Sequence, residues 1–105
     1  MKPLSITAEP EAEGVRVVFT GELDIAGAQD AEEAVRQAES DGASALTLDL
    51  RGLTFMDSTG LRLLVAADRR AQEAGRTLRI VRGPDAIQRV LELTGLVDKL
   101  PLVDA

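Results

Sequence analysis

From Ala45 onward the chain switches repeatedly between two hydrophobic periods. Leu46, Leu48 and Leu50 recur at every second residue, with Thr47 and Asp49 pointing the other way. Leu61, Leu64, Val65 and Ala71 then recur at helical spacing, widened by Leu63, Ala67 and Ala74 and backed by Arg62, Arg69, Arg70, Gln72 and Glu73. Thr77–Val81 returns to a β-prone run, and GPDAIQRVLELTG predicts a helix with Pro84 in its first turn, Ile87, Val90, Leu91 and Thr94 on one face, and a stop at Gly95. A chain patterned this way folds as β-α units, with strands side by side and helices laid across them. Upstream, Leu4–Ala8 and Val15–Thr20 predict an antiparallel pair joined through EPEAEG, followed by a helix with Ala28, Ala31, Ala34, Val35 and Ala38 inward, ended at Gly42 of SDGAS. A last short strand is expected around Leu102 and Val103. The expected architecture is one α/β domain over residues 1–105: a mixed β-sheet, with an N-terminal antiparallel pair followed by β-α units, packed with helices.

Two phenylalanines are the only aromatics, so the core has to be built from Leu, Val, Ile and Ala. The chain has no cysteine and no histidine, which removes disulfides, thiol nucleophiles, imidazole bases and the usual zinc ligands. The net charge is −6 and no run of Lys and Arg is interleaved with aromatics, so neither nucleic acid nor an anionic membrane is an expected partner. No segment approaches ~18 uninterrupted apolar residues, and MKPLSITAEPEAEG lacks the apolar stretch of a signal peptide. A cytoplasmic protein is the simplest expectation.

MDSTG, residues 56 to 60, falls where a strand should hand over to a helix. If the strand ends near Met56, Asp57 and Ser58 occupy the junction and Gly60 the first helical turn, at the sheet edge where α/β domains carry function. Backbone N–H groups at a helix start need acceptors, and a Ser or Asp cap contributes ~1 kcal/mol, so capping is the plain role for Ser58. One acceptor would suffice, however, and three oxygen-bearing side chains followed by a glycine suggest that something needs access to the hydroxyls. A phosphate on Ser58 would be favoured by the helix dipole and disfavoured by Asp57 to a similar degree. The domain itself would then change little, and the effect would fall on a partner covering this edge. Ser58 has no base to activate it and the motif lacks the spacing of a nucleophile elbow, so no enzyme activity is expected. Asp24, Asp49 and Asp57 are dispersed acids better explained as solvated or hydrogen-bonded groups than as a metal site, and no metal or cofactor is expected.

Gly21-Glu22-Leu23-Asp24, the stretch Leu53-Thr54-Phe55-Met56-Asp57-Ser58-Thr59-Gly60-Leu61 and Leu93-Thr94-Gly95-Leu96 together resemble the STAS domain, and more narrowly the bacterial anti-sigma factor antagonists. The likeness spans nearly the whole chain in the right order, with FMDSTGL its most specific element. It implies a switch in which the unmodified protein binds an anti-sigma factor with serine kinase activity and frees a sigma factor. The kinase would phosphorylate Ser58, and a phosphatase would reverse the block. It also implies a partner surface formed by Asp24, Asp57, Ser58, Thr59 and Gly60. Thr59, where many relatives have a second serine, is the secondary candidate for the phosphate. Ile25-Ala26-Gly27-Ala28-Gln29 departs from the threonine-alanine pair common after GELD, so this edge suits a different partner. The alternatives are a STAS module acting as scaffold or regulator in another signalling or transport assembly, a small-ligand binder, or an interaction domain whose Ser58 only caps a helix.

Overall fold

The computed structural model describes residues 3–42 and 44–104, so Ala43 of the SDGAS turn lies outside the described residues. Its elements are β1 (Ser5–Glu11), β2 (Gly14–Leu23), α1 (Ala28–Ser40), β3 (Ala45–Met56), α2 (Ser58–Ala74), β4 (Thr77–Val81), α3 (Asp85–Leu93), a 3-10 turn (Leu96–Asp98) and β5 (Leu102–Val103). The five strands lie in sequence order across one sheet, with β1 antiparallel to β2 and each later neighbour parallel. The expected mixed sheet and antiparallel N-terminal pair are therefore present. Each crossover from β2 to β5 advances one position in the same direction, and because such units are right-handed, all three helices fall on one face.

The core sits between that face and the helices. Val17, Phe19 and Leu23 of β2, Leu46, Leu48 and Leu50 of β3, and Leu78 and Ile80 of β4 point inward and pack with Ala31 and Val35 of α1, Leu64 and Ala67 of α2, and Ile87 and Leu91 of α3. Alanines face the core from both helices, Ala67 and Ala71 on α2 and, on α1, Ala31 and Ala38, which are among the residues expected inward there. The apolar face of α2 differs from its expected one: Gly60, Leu63, Leu64, Ala67 and Ala71 are buried, whereas Leu61 and Val65 are only half-buried and Ala74 is exposed. Arg70, expected on the wet side, is mostly covered and ion-pairs with Glu39 at 2.9 Å and Glu32 at 3.1 Å across the seam with α1. Pro84 caps α3 from outside its first turn, its carbonyl accepting from the N–H groups of Ile87 and Gln88 at 2.9 and 3.0 Å.

β2 and β3 are both longer than the alternation predicts. β3 passes Leu50 and continues to Met56, paired with β2 through two register shifts, at Val18/Thr20 and Gly21/Glu22. Gly52 makes the continuation possible: a Cβ there would stand 2.9 Å from the Phe19 carbonyl oxygen, so only glycine lets the strands approach at the first irregularity. The shifts restore the inward direction of Leu53 and Met56.

Parallel strands usually carry helices on both faces. Here the far face is covered instead by charged side chains lying flat. Asp49, only 2% exposed, accepts from Arg16 at 2.8 Å and from Arg51 at 2.7 Å, and Arg16 reaches on to Glu11 at 2.9 Å. The ladder Glu11–Arg16–Asp49–Arg51 thus spans β1, β2 and β3. The Arg51 guanidinium, with help from Arg16, holds the Asp49 carboxyl down to about 2. A carboxyl depressed on folding contributes stability above its unfolded pKa, and that contribution is lost as pH falls through the folded value. Acid titration of unfolding should therefore show stability falling between about pH 4 and pH 2, and Asp49→Asn should reduce that dependence, with the lowered Glu11 and Asp57 carboxyls retaining the remainder, while lowering neutral-pH stability by about 2 kcal/mol in urea unfolding.

Candidate functional site

The parallel register ends with Leu23 opposite Met56, and the Asp57 N–H donates to the Leu23 carbonyl at 3.3 Å. The next residues in each strand direction are Asp24 and Asp57, so pairing alone sets two acids side by side at the C-terminal edge of the sheet. Both carboxylates are held by their own backbone. Asp24 accepts from the Ala26 N–H at 3.1 Å while its carbonyl accepts from the Gly27 N–H at 3.1 Å, a tight turn that carries the chain into α1.

Asp57 is the cap of α2. Its backbone is extended, and its carboxylate accepts the Thr59 N–H at 2.9 Å and also takes the Thr59 hydroxyl in a short hydrogen bond. These bonds, the Thr59 hydroxyl first, hold the Asp57 carboxyl below the usual carboxylate range. The structure thus corrects the capping role expected of Ser58. Ser58 is the first residue of the helix, is exposed, and its hydroxyl has no hydrogen-bond partner among the described residues. The two hydroxyls of the motif are therefore unequal: Thr59 is half-buried and committed to Asp57, and Ser58 faces outward uncommitted.

Gly60 is also corrected. It is buried, and a Cβ at this position would stand 2.4 Å from Met56 Cγ and 3.1 Å from Leu23 Cδ2. Its missing side chain lets α2 settle onto the ends of β2 and β3; it does not open a path to the hydroxyls. Asp49, grouped with Asp24 and Asp57 in the sequence, lies mid-strand on the far face with its oxygens taken by two arginines.

Some features of this edge escape the alternation of the sequence. Ile25, beside Asp24, is 78% exposed, and Phe55, paired in register with Glu22 and two residues from Asp57, is 47% exposed. Phe55 points away from the core because the second register shift gives the inward place to Met56. The available signal for Ile25 is that it is the one large apolar residue in Asp24-Ile25-Ala26-Gly27-Ala28, the stretch that leads into α1. A groove of about 620 Å³ runs alongside, lined by Leu4, Ile6, Glu22, Asp24, Gly27 and Asp30. Its floor is apolar and its rim acidic, and neither Asp57 nor Ser58 lines it.

Two acids, an exposed serine at a helix start and no imidazole or thiol make a surface that can be recognised and modified. Asp57, pinned by Thr59 and with its carboxyl held below the usual range, is a poor base for the neighbouring hydroxyl.

Comparison with known proteins agrees with this geometry. The family described as Mlab, STAS domain matches residues 6–104. The chain belongs to the STAS domain family. Among curated relatives, the anti-sigma-B factor antagonist of Staphylococcus aureus is 32% identical over 95 residues, covering 90% of this chain and 88% of that protein. An anti-sigma factor antagonist from Mycobacterium paratuberculosis superposes with a TM-score of 0.87 at 30% identity, covering 98% of this chain and 87% of the other. SpoIIAA in its unphosphorylated form shares the fold, with a TM-score of 0.81 at 19% identity over 96% of this chain and 88% of its own. Among the described residues, no helix of this STAS domain is long and apolar enough to cross a membrane.

The two corrections give separable outcomes in thermal or urea unfolding. Asp57→Ala should cost about 1 kcal/mol through loss of the cap, whereas Ser58→Ala should stay within about 0.5 kcal/mol. Gly60→Ala should cost about 1–3 kcal/mol by overpacking, and less when added to Met56→Ala, which vacates the contacted space.

Proposed function

We propose that this protein is an anti-sigma factor antagonist working as a phosphorylation-controlled binding switch. In the unmodified state the edge formed by Asp24, Asp57, Ser58 and Thr59 binds an anti-sigma factor with serine kinase activity, which releases its sigma factor. Phosphorylation of Ser58 ends the complex, and a phosphatase restores it. Gly60 contributes by seating α2 and not by direct contact.

The observation that carries this function is the division of labour within MDSTG. Asp57 caps the helix and Thr59 holds Asp57, which leaves Ser58 exposed and unbonded at the edge where two acids meet. The curated relatives, named anti-sigma-B factor antagonists over most of this chain's length, supply the class of partner. A phosphoserine brings about −1.5 to −2 charges. Covering such a group without pairing it costs several kcal/mol, and each ~1.4 kcal/mol is tenfold in affinity. A partner that fits a neutral hydroxyl against two carboxylates cannot absorb that charge.

Binding of the candidate anti-sigma kinase to Ser58→Ala and Ser58→Asp variants tests the switch by calorimetry. Ser58→Ala should bind like the parent and Ser58→Asp at least about tenfold more weakly; equal affinities would rule the switch out. Intact-mass measurement after incubation with ATP and the kinase should show one added phosphate in the parent and none in Ser58→Ala, which separates Ser58 from Thr59 as acceptor.

A further inference from the structure

α1 and α2 leave between them a cleft of about 440 Å³ whose lining includes Thr59, Arg62, Arg36, Arg70 and Glu32. Two of its three arginines are ion-paired, although Nη2 of Arg70 is buried without a hydrogen-bond partner among the described residues. Arg36 ion-pairs with Glu32 at 2.8 Å, and Arg70 with Glu32 at 3.1 Å and Glu39 at 2.9 Å. Arg62 has neither ion pair nor hydrogen bond among the described residues, although the chain carries 18 acids against 12 basic residues. This uncommitted guanidinium stands four residues after Ser58 on the same helix, and both residues are exposed.

Side chains four apart share a helix face, with Cβ atoms ~5–6 Å apart. Helical side chains also lean toward the N-terminus, so Arg62 is directed back toward the turn that carries Ser58. The carboxylate nearest in sequence, Asp57, is already engaged by Thr59. What Arg62 lacks is an anion in front of it, and the modification argued above would supply one with three acceptor oxygens.

We propose that Arg62 is the intramolecular partner of phosphorylated Ser58. The guanidinium donates to the phosphate oxygens and draws them along α2 toward the cleft, offsetting the repulsion from Asp57. This assignment rests on Ser58 as the phosphoacceptor. Its consequence is a phosphorylated form that is internally charge-paired: the phosphate is held in a fixed direction beside the edge, and the domain accommodates it without disturbing the Asp57 cap.

The test uses the full chain with phosphoserine installed at position 58 by genetic-code expansion, followed by phosphorus NMR through the second phosphate ionisation near pH 6. A paired cation favours the dianion, so the titration midpoint of the parent should lie about 0.3–0.5 pH unit below that of Arg62→Gln, a two- to threefold change in proton affinity. Arg62→Lys should recover part of the shift. Arg69→Gln, a cation elsewhere on the same helix, should leave the midpoint unchanged. Coincident midpoints for the parent and Arg62→Gln, or an equal displacement by Arg69→Gln, would overturn the pairing. Because no kinase is needed to prepare the sample, that outcome would leave the acceptor role of Ser58 standing. Conversely, a kinase that ignores Ser58 would not alter the titration.

Discussion

The parallel pairing of β2 with β3 is the contact from which the rest of this domain is laid out. It runs from Gly14 opposite Ala45 to Leu23 opposite Met56, and its two register shifts decide where it stops. Without them Leu53 and Met56 would rotate away from the helices, and the last turn of core beneath α2 would be lost. With them, Asp24 and Asp57 emerge at matching positions, and α2 begins immediately beyond the strand. Gly60 then completes the junction, since a single Cβ there would push the helix off Met56 and Leu23. The functional edge is thus a by-product of register, not of a loop arranged for the purpose.

Much of this was legible from local pattern. The antiparallel pair, the alanine face of α1, the order of strands and helices and the junction at MDSTG all follow from periodicity and from Gly and Pro punctuation, because each depends on neighbours a few residues away. The length of β3 does not. The alternation of Leu46, Leu48 and Leu50 stops before Gly52, and only pairing with β2, more than 30 residues earlier, shows that Gly52 is a point of close strand approach. The inward face of α2 was misplaced because the start of the helix, fixed by Asp57, sets its rotation over the sheet. Ser58 and Asp57 are both good caps on local grounds, so the choice between them needed the backbone: the extended residue is Asp57, and its carboxylate reaches the Thr59 N–H.

The far face of the sheet shows how the same register serves stability. Three parallel neighbours with helices on one side only would expose a flat apolar face, a surface prone to association. Asp49 instead occupies the middle strand on this face, and Arg16 and Arg51 both pair with its carboxylate. The arrangement burdens the fold with a buried carboxylate but keeps this face polar. It also separates the two acidic features in space: the mid-strand acid is buried between two arginines, whereas Asp24 and Asp57 stand half-buried at the end of the sheet, bonded to their own turns.

On the proposed function, the separation of cap and acceptor within MDSTG lets one helix start serve both folding and regulation. Were Ser58 the cap, attaching a phosphate would require the capping oxygen itself to be modified, and every change of state would disturb the start of α2. Asp57 holds that place, and Thr59 holds Asp57, so the hydroxyl of Ser58 has no structural duty to lose. Under the proposed switch, phosphate would come and go at a hydroxyl that lies outside the capping bonds of α2. In that switch the free energy of the modification would be expressed where the surface meets another protein. A switch built this way needs no second conformation of its own: charge placed at a rigid edge is sufficient, because the partner's contact surface must either pair that charge or leave it.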